Sequence, residues 1–191
     1  MRTYNPETTW FIADTHFWHT NIIQYENRTN FLGRFRDVKE MNEFIIKEWN
    51  KYVDLEDTVF HLGDFSWGSN TQWQKIRSQL NGNIHLIRGN HDYNKSNSFL
   101  TDIFDTVSDY KEIYLEFNDE KIPVVLSHYP LYSWNKQHYG AWHLFGHVHR
   151  LFSSIPGLKN NLNVGYDSSG IVSGNQIAVH FYKEFIENAE N

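Results

Sequence analysis

Five short segments of this chain combine Asp, Asn and His in patterns that could bind metal ions. They read Asp14-Thr15-His16, Gly63-Asp64, Gly89-Asn90-His91-Asp92, Ser127-His128 and Gly146-His147-Val148-His149. Imidazole nitrogens combined with carboxylate and amide oxygens suit Mn²⁺, Fe, Zn²⁺ or Co²⁺ better than Mg²⁺ or Ca²⁺, which prefer shells of oxygen alone. The chain contains no cysteine, so a thiolate ligand and a cysteine nucleophile are both excluded.

Each segment follows an apolar run that is typical of a β-strand. The predicted strands are residues 8–13, 58–62, 84–88, 121–126 and 142–145. Ligands of open α/β sheets bind outside the carboxyl ends of the strands, so we expect the polar side chains to converge there. The converging set comprises Asp14, His16, Asp64, Asn90, His128, His147 and His149. Seven such side chains exceed the needs of one ion and suit two ions with a bridging carboxylate.

Two helices are predicted between the first strands. In residues 37–52 the apolar side chains recur at steps of three and four, which gives one apolar face. Residues 71–80 show the same periodicity, and Gly82 follows as a C-terminal cap. A strand, a helix and a strand over residues 58–88 form a βαβ unit, which predicts parallel neighbouring strands.

The second half of the chain is predicted to be rich in β-structure. Residues 110–117 and 121–126 flank Asn118-Asp119-Glu120, whose residue types favour a hairpin turn. Residues 161–164 and 176–182 are predicted as further strands, and a short helix is predicted from about Lys183. Without a linker or a repeat, the 191 residues predict one α/β domain over residues 1–191.

In this order and context, the five segments resemble the calcineurin-like metallophosphoesterase superfamily. The pattern of that superfamily is Asp-x-His, Gly-Asp, Gly-Asn-His-Asp/Glu, a single His and Gly-His-x-His, and all five blocks occur here. The resemblance implies a four-layer α/β/β/α sandwich, in which two mixed β-sheets are flanked by helices. It also implies two divalent metal ions, with Mn²⁺ favoured and Fe, Zn²⁺, Ni²⁺ or Co²⁺ as alternatives.

The resemblance further implies how the seven ligands divide between the two ions. Asp64 would bridge the ions, and each ion would take three further ligands: Asp14, His16 and His149 for one, and Asn90, His128 and His147 for the other. A metal-bridging hydroxide would then attack phosphorus. His91 would contact the phosphate and assist the leaving oxygen, whereas Asp92 receives no assigned role.

One departure from the superfamily pattern reduces the range of expected substrates. Protein Ser/Thr phosphatases of this superfamily extend the second block to Gly-Asp-x-x-Asp-Arg-Gly, but here it continues Phe65-Ser66-Trp67-Gly68. The resemblance is therefore to the small bacterial and phage-type phosphoesterases, and a phosphodiester is favoured on that basis. The alternatives are a phosphomonoesterase, a nuclease and a metal-binding scaffold without catalysis.

Several residues near the motifs receive simpler interpretations. His61 and His85 lie within predicted strands and are expected to be core residues with satisfied hydrogen bonds. Ordinary packing is the favoured interpretation of the aromatic residues between positions 129 and 142. Trp18 and Trp67 are better candidates for substrate contact, and Asp167 is expected to terminate a strand.

Charge and hydropathy limit the possible partners. The net charge of −6 does not favour non-specific binding to a nucleic acid backbone. No run of about 18 apolar residues and no secretory signal is recognised, so we expect a cytoplasmic protein without a membrane span. The expected partner is a small phosphoester, with nucleotide-like compounds among the candidates, and the oligomeric state is not predicted.

Overall fold

The computed structural model of the chain describes residues 1–30 and 33–189. The helices are α1 (Ile22–Tyr25), α2 (Val38–Tyr52), α3 (Asn70–Arg77), α4 (Asn97–Ile103) and α5 (Gly174–Ala189). The strands are β1 (Thr3–Tyr4), β2 (Thr9–Ile12), β3 (Thr29–Asn30), β4 (Gly33–Arg34), β5 (Thr58–His61), β6 (Asn83–Ile87), β7 (Thr106–Ser108), β8 (Tyr110–Phe117), β9 (Glu120–Ser127), β10 (Trp142–Phe145), β11 (Asn161–Asn163) and β12 (Val172–Ser173).

The first sheet has the strand order β12-β2-β5-β6-β7. Strands β2, β5, β6 and β7 are parallel, and β12 pairs antiparallel with β2 at one edge. Helix α3 connects β5 to β6, so the predicted βαβ unit is confirmed. The parallel arrangement brings the carboxyl ends of β2, β5 and β6 to the same edge of the sheet.

The second sheet has the strand order β1-β8-β9-β10-β11. Strands β8 and β9 form the predicted hairpin, in which Phe117 pairs with Glu120 across a two-residue turn. Both turn residues, Asn118 and Asp119, have positive φ, at 51° and 62°, as the favoured hairpin turn requires. Strand β10 then pairs parallel with β9 and β11, which makes the sheet mixed.

Two apolar clusters hold the sheets and helices together. The inner faces of both sheets share one cluster, which includes Phe11, Phe60, Val124 and Leu144. The other face of the first sheet packs against α2, α3 and α4 in a second cluster. The prediction of two mixed sheets flanked by helices is therefore confirmed. No helix in the described residues has the length and apolar character to cross a membrane.

Helix α2 begins and packs as its sequence predicts. The side chain of Asp37 caps its first turn by accepting hydrogen bonds from the backbone N–H groups of Lys39 and Glu40. Met41, Ile45 and Trp49 form the buried face against the first sheet. This packing fixes the sheet whose strand ends carry three of the five motifs.

The prediction of a strand over residues 176–182 is wrong, because this segment lies within α5. Ile177, Ala178 and Phe181 are buried, a spacing that fits one face of a helix, whereas Val179 is 46% exposed. Ser173 and Gln176 start the helix with reciprocal hydrogen bonds between side chain and backbone, at 3.2 and 2.8 Å. Packing and capping therefore override the β propensity of the branched and aromatic side chains.

Replacing Ile177 or Val179 by alanine distinguishes the helix from a strand. In a strand both side chains would share one face, whereas in α5 only Ile177 is buried. We expect Ile177→Ala to lower the free energy of unfolding by about 2–5 kcal/mol. Val179→Ala is expected to change it by less than about 0.5 kcal/mol. Urea denaturation measures both, and equal losses would contradict the helical assignment.

Candidate metal centre

The five predicted strand ends meet at one place, between the two sheets. Asp64 lies at the centre of the group. Its Oδ2 is 3.6 Å from His16 Nε2, 3.7 Å from His128 Nε2 and 3.7 Å from His91 Nε2. The central carboxylate therefore faces imidazoles from three different motifs, although these residues are far apart in the sequence.

The first group of side chains consists of Asp14, His16 and His149. One potential ligand atom from each lies within 4.8 Å of the others. Asp14 Oδ1 and His16 Nε2 are buried, and neither has a hydrogen-bond partner among the described residues. Buried polar atoms without partners are costly, and a bound cation would satisfy both of these acceptors.

The second group surrounds His128. Its Nδ1 lies 2.8 Å from the carbonyl oxygen of Leu62, which can only accept, so Nδ1 carries the proton. His128 Nε2 is then an acceptor, and it lies 3.0 Å from Asn90 Oδ1, another acceptor. The ring of His147 lies 5.1 Å from that of His128. Two acceptors that face each other at this distance suit a shared cation.

Burial shifts the pKa of three of the predicted ligands in a direction that favours a bound cation. Burial, with repulsion from Asp64 and Asp167, raises the pKa of Asp14 to about 8 against the attraction of His149. A bound cation would stabilise the ionised form of this carboxylate. Burial also lowers the pKa of His128 to about 4 and that of His16 well below its usual value, so both rings are neutral. Neutral imidazole is the form that binds metals.

The chain turns sharply at the strand ends that carry these side chains. Five residues of the motifs have positive φ, between 46° and 71°: Asp14, His16, Asp64, His147 and His149. Such a conformation costs on the order of 1 kcal/mol or more for a residue with a side chain. Backbone hydrogen bonds between neighbouring strand ends hold it, as from Asp14 N to Gly63 O at 2.9 Å and from His16 N to Asp64 O at 3.0 Å.

Two glycines allow the strand ends to approach the centre closely. A Cβ atom on Gly89 would lie 2.6 Å from Asp64 N and 2.8 Å from His128 Cε1. A Cβ atom on Gly146 would lie 2.7 Å from Asp14 Oδ2. No side chain fits at these distances, which explains why glycine precedes the predicted metal ligands in these two motifs.

Asp92 connects the second and third motifs. It is fully buried and accepts three backbone hydrogen bonds, from Asp64 N at 2.8 Å, Phe65 N at 3.0 Å and Gly89 N at 2.8 Å. Burial raises its pKa to about 7, with repulsion from Asp64, against the effect of these hydrogen bonds. Asp92 received no role from its sequence motif. In the structure it holds the loop that carries Asp64.

The rim of the centre consists of aromatic and imidazole rings. Trp67 is 48% exposed, stacks on His19 with 4.3 Å between ring centroids, and contacts His91 at 4.4 Å. On the other side, the ring of Tyr129 lies 4.6 Å from that of His147. Trp18 instead packs against the apolar cluster between the first sheet and helices α2, α3 and α4. Of the two predicted contact tryptophans, only Trp67 lies at the open rim.

His61 and His85, which lie outside the motifs, belong to the packing, as predicted. His61 is buried between Gly63 N and the hydroxyl of Thr15, at 3.2 and 2.9 Å, and burial lowers its pKa to about 3. His85 bonds to Thr106 at 2.9 Å. Trp134 and Trp142 of the aromatic segment are buried, whereas Tyr132 and Tyr139 are exposed.

The sequence interpretation missed the roles of Arg28 and Asp167. Both Asp167 carboxylate oxygens accept hydrogen bonds from Arg28, at 2.8 and 2.7 Å. His149 Nδ1 lies 2.9 Å from Asp167 Oδ2. Asp167 is thus joined to a motif histidine and does not simply end a strand. No short motif marks either residue, because the contact spans 139 positions.

A cavity of about 740 Å³ lies beside the metal centre. Trp10, Phe44, Tyr52 and Arg150 contribute to its walls, and so does the Arg28–Asp167 pair. None of the seven predicted metal ligands lines this cavity. The centre itself is open to the surface at His91, whose side chain is 33% exposed, and at His147, which is also exposed.

Comparisons with known proteins agree with the geometry. A family model described as calcineurin-like phosphoesterase matches residues 8–151. An uncharacterized protein of Methanocaldococcus jannaschii is 45% identical over 85 residues, which cover 44% of this chain and 46% of that protein. The gene 66 protein of Mycobacterium phage L5 is 36% identical over 88 residues, 44% of this chain and 39% of that protein. The matches thus span less than half the length of these curated relatives.

A crystal structure of a protein of unknown function from Aquifex aeolicus has the same fold. Its TM-score is 0.65 at 27% sequence identity, and the match covers 90% of this chain and 97% of that one. The fold similarity therefore extends over most of the chain.

Replacing Asp92 by alanine tests its role in bracing the second and third motifs. The change leaves three buried N–H groups without an acceptor, so we expect the free energy of unfolding to fall by about 2–5 kcal/mol. The matched control is Asp102→Ala at an exposed position of α4, which should change it by less than about 0.5 kcal/mol. Urea denaturation in the presence of a chelator measures both variants. Equal stability of the two would show that Asp92 does not hold the motifs together.

Proposed function

This chain belongs to the calcineurin-like phosphoesterase family, and we propose that it hydrolyses a small phosphodiester with two divalent metal ions, of which Mn²⁺ is favoured. The observation that carries the proposal is the Asp64 carboxylate, which faces imidazoles of three motifs at 3.6–3.7 Å. The buried acceptors Asp14 Oδ1 and His16 Nε2, without partners among the described residues, also support a cation there.

The seven predicted ligands divide between the ions as the family pattern implies. Asp14, His16 and His149 would bind one ion, and Asn90, His128 and His147 the other, with Asp64 common to both. When bound, such a pair of ions supplies an activated water and neutralises the charge on the phosphoryl group. The backbone turns and glycines described above hold the ligands in place before substrate binds, so little reorganisation is required during the reaction.

His91 is the proposed residue that assists the leaving oxygen. Its backbone N–H donates to Asp64 Oδ1 at 2.9 Å, which fixes the residue beside the central carboxylate. Its side chain is 33% exposed, so the ring can reach a substrate from the open side. A protonated ring in this position can donate a hydrogen bond to the oxygen that leaves.

The exposed ring of Trp67 favours a substrate that carries a planar group, such as a nucleotide-like ester. An exposed tryptophan is unusual, because large aromatic side chains are mostly buried. Here its ring lies next to both His19 and His91, with about half of its surface open. An aryl group or a base on the leaving side could stack on this surface.

Hydrolysis of bis-p-nitrophenyl phosphate by the metal-loaded protein tests the proposed reaction. After removal of metals with a chelator, Mn²⁺ should restore activity. Asp64→Asn should lower activity at least about 100-fold, because a charge shared by both ions is lost. The control Asp57→Asn changes a buried aspartate elsewhere, which accepts from Trp10 Nε1, and should leave kcat unchanged. A protein that binds metal but remains inert between pH 6 and 9 would favour a scaffold without catalysis.

Replacing Trp67 by alanine tests the stacking surface. The KM for bis-p-nitrophenyl phosphate should rise about 10-fold with little change in kcat, because stacking on an aromatic side chain contributes about 1–3 kcal/mol. Trp67→Phe should retain most of the affinity. Tyr132→Ala, at an 81% exposed tyrosine, is the control and should leave KM unchanged. An unaltered KM in Trp67→Ala would exclude this surface from substrate binding.

A further inference from the structure

Asp167 lies outside the region that the family model matches, which ends at residue 151. It is nevertheless attached to the last motif, because its Oδ2 is 2.9 Å from His149 Nδ1. Its side chain is completely buried. A buried carboxylate requires compensation by positive charge or by hydrogen-bond donors.

Arg28 provides that compensation. Its Nε and Nη2 atoms donate to the two carboxylate oxygens of Asp167, at 2.8 and 2.7 Å, which is the paired geometry of a strong ion pair. The guanidinium thus offsets the charge of the buried carboxylate, whose oxygens accept these hydrogen bonds.

Arg28 also contacts the first motif. Its Nη2 donates to the carbonyl oxygen of Asp14 at 2.6 Å, and its Nη1 donates to that of Thr15 at 2.7 Å. The side chain is 1% exposed and lies over the ring of Tyr166 at 4.8 Å. One buried side chain thus connects the first motif to the carboxylate that contacts the last motif.

We propose that Asp167, held by Arg28, is a positioning residue for the first metal ion. The carboxylate, paired with Arg28, accepts the Nδ1 proton of His149, so the ring presents Nε2 to the ion that Asp14 and His16 also bind. Metal-binding histidines commonly have their other ring nitrogen fixed by a carboxylate in this way. The inference rests on the proposed metal centre.

The geometry also contains one competing arrangement. Glu26, His149 and Asp167 approach closely enough to hold an ion by themselves, and Glu26 Oε1 is 3.9 Å from His149 Nδ1. In that case Nδ1 would be a metal ligand and not a proton donor. Arg28 argues against it, because its positive charge already lies against both oxygens of Asp167 and would repel a cation bound there.

Mn²⁺ titration of the metal-free protein by calorimetry tests the role of Asp167. For Asp167→Asn we expect one of two ions to bind about 10–100-fold more weakly, with the affinity for the other unchanged. The control is Arg150→Gln, which removes a hydrogen bond to the backbone carbonyl of Asp167 and leaves its carboxylate unaltered. This control should bind both ions like the wild type. Two ions bound to Asp167→Asn with wild-type affinity would overturn the inference.

A measurement on the unaltered protein covers the case in which Asp167→Asn does not fold. In Zn²⁺-loaded protein with ¹⁵N-labelled histidine, NMR should show His149 with a proton on Nδ1 and the metal on Nε2. The metal on Nδ1 would overturn the inference while leaving a metal centre intact. Absence of any metal binding by the wild type would instead remove the proposed function and this inference together.

Discussion

The constraint on which this structure depends is the burial of carboxylates that lie close together. Asp14 and Asp64 repel each other in a site from which water is largely excluded, and Asp167 adds a further negative charge nearby. Arg28 neutralises Asp167 only. Burial opposes the ionised form of Asp14 and raises its pKa to about 8, so a cation beside it would stabilise this carboxylate. Burial also lowers the pKa of His16 and His128, so these two imidazoles are neutral.

The fold provides the rigid frame for this arrangement. Each motif follows a strand, and the two sheets pack face to face through one shared apolar cluster. Backbone hydrogen bonds between strand ends, together with the Asp92 carboxylate, set the distance between neighbouring turns. The positive φ values then direct the side chains inward. The strained turns at the strand ends are thus held in place by hydrogen bonds within the fold, and not by the predicted metal-ligand side chains.

The features that were predicted correctly from the sequence are those encoded by residues close together in the chain. Periodicity predicted α2, and turn chemistry predicted the β8–β9 hairpin. The strand ends that carry the motifs were also recognised, because polar residues after apolar runs mark them. The error over residues 176–182 arose because branched and aromatic side chains have β propensity. Its correction was present in the sequence as Ser173 and Gln176, whose spacing is that of a capping box.

Contacts between distant segments could not be predicted in the same way. Arg28 and Asp167 are 139 positions apart, and neither residue belongs to a pattern of fixed spacing. Asp92 was visible within its motif, but its function depends on three backbone N–H groups that only the folded chain brings together. A motif identifies the atoms that can bind an ion. The residues that fix the orientation of those atoms, such as Arg28 and Asp167, make contacts between distant segments. Only the folded structure identifies them.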